Sequence, residues 1–99
     1  MSNPNPNIYR NVVESLGDAS TLTGNFDQAK NHYEIVKGLI GDDTDATAMH
    51  YYKLGRLYLY ETKLDEAHQS FGQALDLAKT NPGLAAQIEA EIRLLHDMS

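Results

Sequence analysis

The chain contains no cysteine, which excludes disulfides, thiolate chemistry and cysteine metal sites. It has no apolar run near the length of a membrane span. Basic residues are few: Lys and Arg number 8 against 14 Asp and Glu, the net charge is −6, and the acidic excess is spread along the chain. With no basic stripe, neither a nucleic-acid backbone nor an anionic membrane surface is an expected partner. No stretch alternates apolar and polar residues between turn residues, so strand signals are missing as well. There is no glycine-rich phosphate loop and no Gly-x-Ser-x-Gly elbow. Glu89 and Glu91 point to different faces of one helix and cannot act as a carboxylate pair, while Asp42 and Asp43 read as a solvated loop. Four histidines are present (His32, His50, His68 and His96), and none is paired at the i, i+3 or i+4 spacing of a helical metal site. The expectation is a non-enzyme with no catalytic residue, no metal and no cofactor.

What remains is helical periodicity. Leu64, Ala67, Phe71, Ala74, Leu75 and Ala78 recur in steps that place them on one face of a helix. Phe26, Ala29, Tyr33, Val36 and Ile40 repeat the pattern, and Leu84, Ile88, Ile92 and Leu95 form a third stripe. The spacing predicts an all-α chain of five helices over residues 8–22, 25–40, 45–61, 64–80 and 83–97. Gly24 suits a left-handed helix end, Asn7 a cap of the first helix, Thr44 or Asp45 a cap of the third, and Asn81-Pro82 the start of the fifth. With 99 residues the chain is expected to make a single domain over 8–97 with a modest core. The opening "MSNPNPN" has no basic start and no apolar core, so it is not a signal peptide. A disordered segment over 1–7 and a cytoplasmic location are the expectations.

The chain also repeats. A shift of 38 residues aligns 10–43 with 48–81 without a gap, matching Leu16 to Leu54, Gly17 to Gly55, Asp27 to Asp65, Ala29 to Ala67 and Leu39 to Leu77. Tyr33 and Phe71 are near matches. These are the positions two antiparallel helices need. A glycine late in the first helix and an alanine early in the second let the backbones approach, and the aromatic one turn later fills the gap.

In the second unit, Tyr51, Leu54-Gly55, Tyr58, Ala67, Phe71 and Ala74 resemble the signature of the tetratricopeptide repeat. The family's proline is displaced to Pro82. The first unit keeps Leu16-Gly17, Ala29 and Tyr33, but has Val13 and Ser20 where the family has aromatics. The resemblance implies a small helix-pair solenoid, with repeats at about 10–43 and 48–81 and a covering helix at about 83–97. In that last helix Arg93 stands where a third glycine would fall, and Gln87, Glu89, Arg93 and Asp97 form a polar back, as a terminal helix requires.

The resemblance implies a function as well: a protein-interaction module that holds a peptide or helix of a protein partner in a concave groove lined by the first helices of the repeats. By that correspondence the groove shows Asn11, Glu14 and Asp18 from the first unit, and Met49, Tyr52, Lys53, Arg56 and Tyr60 from the second. Aromatics and Arg are the types enriched at interface hot spots. The competing reading is that one or both tyrosines pack against the first or last helix, and that Glu14 and Asp18 are solvated or paired internally with Lys53 and Arg56. A clamp for a C-terminal carboxylate, known in the family, is not expected, because acidic Glu14 and Asp18 occupy the first-unit positions and the last helix offers Gln87 and Glu91.

The alternative function is a self-assembly unit. Ile8, Tyr9 and Val12 join Val13 and Leu16 on an apolar surface too broad for one neighbouring helix to cover. The expectation is a homodimer joined through the first helix.

Overall fold

A computed structural model describes residues 6–98, which form five helices: α1 (Pro6–Leu22), α2 (Phe26–Ile40), α3 (Thr44–Tyr60), α4 (Leu64–Leu77) and α5 (Pro82–Met98). The architecture is all-α, with no strand among the described residues. Residues 1–5 of the expected disordered segment lie outside the described residues. Pro6 and Asn7 belong to α1, so Asn7 lies inside the helix rather than capping it. Pro6 takes the first turn, where its missing N–H costs no helical bond.

The chain divides into two compact units, Met1–Gly41 and Asp42–Ser99. The division falls between the two helix pairs.

In the first unit α1 pairs with α2. Val13, Gly17 and Thr21 form the buried stripe of α1, and Ala29, Tyr33, Val36 and Ile40 that of α2. The Tyr33 ring lies against the Gly17 backbone, where an added Cβ would stand 2.5 Å from Cε1. The helices therefore touch through a missing side chain. The Tyr33 hydroxyl donates to Asp18 Oδ1 at 2.6 Å and lies 3.4 Å from the Thr21 hydroxyl, so the polar tip of this buried aromatic is satisfied. Between the helices Gly24 takes φ 82°, and the Gly24 and Asn25 N–H groups close back onto the Thr21 and Ser20 carbonyls.

The second unit repeats this construction one helix pair later. The Phe71 ring of α4 lies against Gly55 of α3, and an added Cβ would stand 2.6 Å from Cδ1 and Cε1. Ala48, Tyr52, Ala67, Phe71, Ala74, Ala78, Leu84, Ile88 and Leu95 form one core, with α5 supplying the last three. Full burial of a side chain such as Phe71 contributes about 1.5–3 kcal/mol. The turn after α3 copies the Gly24 closure with Thr62, at φ 61°, as its left-handed residue. The Thr62 and Lys63 N–H groups bond the Leu59 and Tyr58 carbonyls.

Two boundaries differ from expectation. The cap of α3 is Asp43, whose Oδ1 accepts the Ala46 N–H at 3.0 Å, because the helix already includes Thr44 and Asp45. α4 ends at Leu77 rather than near 80, since the Ala78 N–H is shared between the Ala74 and Leu75 carbonyls and the last turn tightens there. Asn81 then caps α5, as predicted, accepting the Leu84 N–H at 3.2 Å.

α5 buries Leu84, Ile88 and Leu95, while Gln87, Glu89, Arg93 and Asp97 are exposed, so its polar back is present. Leu94 interrupts it, 56% exposed.

Candidate interaction site

The residues singled out on α3 separate by depth. Tyr52 is not on an open face: it is 5% exposed, inside the core of the second unit, with its ring centre 6.0 Å from that of Phe71. Its hydroxyl donates to Glu91 Oε1 at 3.2 Å and accepts from Gln87 Nε2 at 3.4 Å, both on α5. The reading of Tyr52 as an open groove residue is thereby corrected in favour of the alternative, packing against the last helix. The physical reason is the rotation of α3. The buried residues of α3 are Ala48, His50, Tyr52, Gly55 and Leu57; Ala48 and Tyr52 belong to this core, while Tyr51 and Tyr58 of the repeat signature are half-buried and pack against its edge, and Leu54 is half-buried. Met49 is half-buried too and packs against the same core.

Arg56 and Tyr60 remain accessible. Tyr60 is 47% exposed, and Arg56 and Lys53 are half-buried. The Arg56 guanidinium carbon stands 6.0 Å from the centre of the Tyr52 ring, within cation–π range. Burial works against the Arg56 charge, but a hydrogen bond with Tyr60 and the proximity of Tyr52, Tyr60 and Glu91 outweigh it and hold the guanidinium above its ordinary pKa. Burial also pushes the Tyr52 hydroxyl up; the Gln87 hydrogen bond works against this, and the Glu91 carboxylate adds to the rise. The result is a cation beside an aromatic ring, with an exposed tyrosine one helical turn away.

On the sequence Gln87 reads as part of the polar back of the last helix, and Gln87 with Glu91 only as residues unsuited to a carboxylate clamp. Their role as the partners of Tyr52 has no periodic signal in the sequence, because it depends on how α5 folds back.

In the first unit Asn11 is exposed, while Glu14 and Asp18 are half-buried. Asp18 accepts the Tyr33 hydroxyl of its own unit, a partner other than the Lys53 and Arg56 that the sequence offered. The apolar residues expected at a self-association face are exposed: Ile8 59%, Tyr9 48%, Val12 52% and Leu16 48%. Ile8, Asn11, Val12, Ser15 and Leu16 line a shallow open depression on α1. Val13, grouped with them on the sequence, turns inward and is buried, because it sits one residue round the helix on the α2 side.

Two further groupings lie between α4 and α5. Gly72, Leu75, Asp76, Lys79, Ala85 and Glu89 border a second depression. The rings of His68 and His96, far apart in sequence, meet edge-on with centres 5.0 Å apart. No group of three or more His, Asp or Glu side chains suited to a metal occurs among the described residues. No helix among them is long and apolar enough to cross a membrane.

A family model described as tetratricopeptide repeat matches residues 9–80, most of the chain and both helix pairs. No curated protein and no solved structure matches the chain.

Proposed function

Because the chain belongs to the tetratricopeptide repeat family, whose repeats generally mediate contacts between proteins, we propose that it is a non-enzymatic interaction module whose α3 face engages a peptide or helix of a protein partner. The observation that carries this reading is the preorganised pair Arg56 and Tyr60. The Arg56 guanidinium is positioned over the Tyr52 ring and bonded to Tyr60, while the Tyr60 ring remains 47% exposed. Holding both side chains before the partner arrives reduces the ordering cost of binding, and Arg and Tyr are the residues most often found at binding hot spots. A guanidinium beside an aromatic suits a partner segment with a carboxylate next to an apolar side chain. Lys53 adds a second cation on the same helix. Tyr52 enters the proposal as the residue that positions Arg56, not as a contact.

The test is capture of partners from the native lysate on immobilised parent protein and on Arg56→Ala and Tyr60→Ala variants. Loss of the same captured protein from both variants, with helical content unchanged, supports the α3 face. Equal capture by all three proteins refutes it.

Self-association is the second reading, favoured by the exposure of Ile8, Tyr9, Val12 and Leu16.

A further inference from the structure

The outward face of α1 has an order that exposure alone does not require. Ile8, Val12, Ser15, Ala19 and Leu22 follow one another in steps of four, three, four and three, all exposed. That is the heptad spacing of a helix seam. The opposite stripe, Val13, Gly17 and Thr21, is the one buried toward α2. The charged residues of α1 are Arg10, Glu14 and Asp18, and none falls on the seam. A chain of net charge −6 thus presents a helix face with no charge on it. Two copies can approach there with the least repulsion.

The sizes along the seam identify the occupant. They run large, large, small, small from Ile8 through Val12 and Ser15 to Ala19. A parallel pair would set Ile8 on Ile8 and Val12 on Val12 but Ser15 on Ser15 and Ala19 on Ala19, crowding the first layers and leaving a gap before Leu22. An antiparallel pair sets Ile8 against Ala19 and Val12 against Ser15 of the second copy, and the twofold axis repeats both layers. Each of these layers joins a large residue to a small one, the complementarity that well-packed helix interfaces use, and Leu22, the last seam residue, falls beyond Ile8 of the second copy. The flanks agree. Tyr9 comes beside Leu16 of the second copy, closing one side with apolar surface. Asn11 comes beside Asp18 of the second copy, a hydrogen-bonding pair with no like charges opposed. Antiparallel helix dipoles are also favourable.

Resting on the self-association reading, we propose that α1 is the dimerisation helix, pairing antiparallel with α1 of a second copy in the register Ile8 to Ala19 and Val12 to Ser15. The interface is isologous, as in most homodimers. It involves one helix from each chain and is smaller than the roughly 1,600 Å² of a standard interface.

Two measurements test this separately. Sedimentation equilibrium at tens to hundreds of micromolar is expected to give twice the 11.0 kDa chain mass. Val12→Asp, at a position 52% exposed in the single chain, returns the monomer mass with unchanged helical circular dichroism. A monomer mass for the parent overturns both self-association and the proposed register. The register is read by oxidation, since the chain has no cysteine of its own. In the antiparallel pair two copies of residue 8 lie about 16 Å apart along the helix axis, at about 1.5 Å rise per residue. A disulfide needs Cα atoms within about 7 Å. Ile8→Cys alone and Ala19→Cys alone therefore stay uncrosslinked, and an equimolar mixture of the two gives the mixed disulfide dimer. A parent that dimerises, but whose Ile8→Cys variant crosslinks with itself, or whose mixture does not crosslink, keeps self-association and overturns the register.

Discussion

Gly55 and Phe71 occupy one another's space: a Cβ on Gly55 would lie 2.6 Å from both Cδ1 and Cε1 of the Phe71 ring, closer than any real contact. Gly17 and Tyr33 repeat the relationship 38 residues earlier. In each helix pair the absence of a side chain on one helix is what admits the aromatic of the other. Phe71 is fully buried and cannot swing into solvent. Gly55→Ala is therefore expected to destabilise the second unit by about 1–3 kcal/mol, and Gly55→Leu by more. Urea denaturation of single variants measures this, and combining Gly55→Ala with Phe71→Leu should recover part of the loss, because the two positions share one volume. Unchanged midpoints for Gly55→Ala and Gly55→Leu would contradict the packing.

Two other glycines have the opposite expectation. Gly38 in α2 and Gly72 in α4 lie within helices, and a Cβ on either meets nothing within 4 Å. Alanine there restricts the unfolded chain without a clash in the folded one. Gly38→Ala and Gly72→Ala should each raise stability by about 0.5–1 kcal/mol, seen as a higher denaturation midpoint with unchanged slope.

Thr62 closes α3 in the left-handed region at φ 61°, while its counterpart Gly24 does the same task at φ 82°. A β-branched residue is strained there, by roughly 1–2 kcal/mol. Thr62→Gly should stabilise the protein by about 1 kcal/mol, net of the entropy glycine adds to the unfolded chain. Gly24→Thr should destabilise it, and a thermal melt distinguishes the two signs.

Tyr52→Phe keeps the ring in the core and removes the hydroxyl that bridges Glu91 and Gln87. The expected cost is about 1 kcal/mol at neutral pH. The alkaline limb carries the second signature. An unfolded tyrosine ionises near its ordinary value of about 10, whereas burial raises the folded Tyr52 above it. From about pH 10 upward the unfolded state holds fewer protons than the folded state, so this contribution is full below that pH and is lost as pH rises through the folded value. The stability difference between parent and Tyr52→Phe should therefore shrink above about pH 10. A difference that stays constant to higher pH would show that the hydroxyl is not buried.

Most of the helical frame was legible in the residues themselves, for a local reason. Apolar spacing, the Asn81-Pro82 start and Gly24 act within a few residues, so α2, α3 and α5 appear within a residue of their predicted limits. The internal repeat carried more, since Gly17 with Tyr33 and Gly55 with Phe71 are the same contact written twice, and repetition exposes a tertiary contact that one copy would hide. Exposure of Ile8, Tyr9 and Val12 was legible too, because Val13 and Leu16 already made the apolar arc of α1 wider than one neighbour can cover.

What the tertiary structure alone decided is the fate of α3. Its apolar and aromatic residues run round much of the helix, so periodicity offered two candidate inward faces, one through Leu54 and Tyr58 and one through Tyr52. Its inward turn goes with α4, whose Phe71 ring lies on Gly55, and α5 returns along the second unit with Ile88 and Leu95 for the core and Gln87 and Glu91 for the Tyr52 hydroxyl. Partners separated by 39 residues leave no spacing rule to find, and the same is true of His68 and His96. A helix with apolar groups on two sides is turned by whichever neighbour satisfies its polar tips as well as burying its rings. That is a property of the folded assembly of helices and not of any one of them.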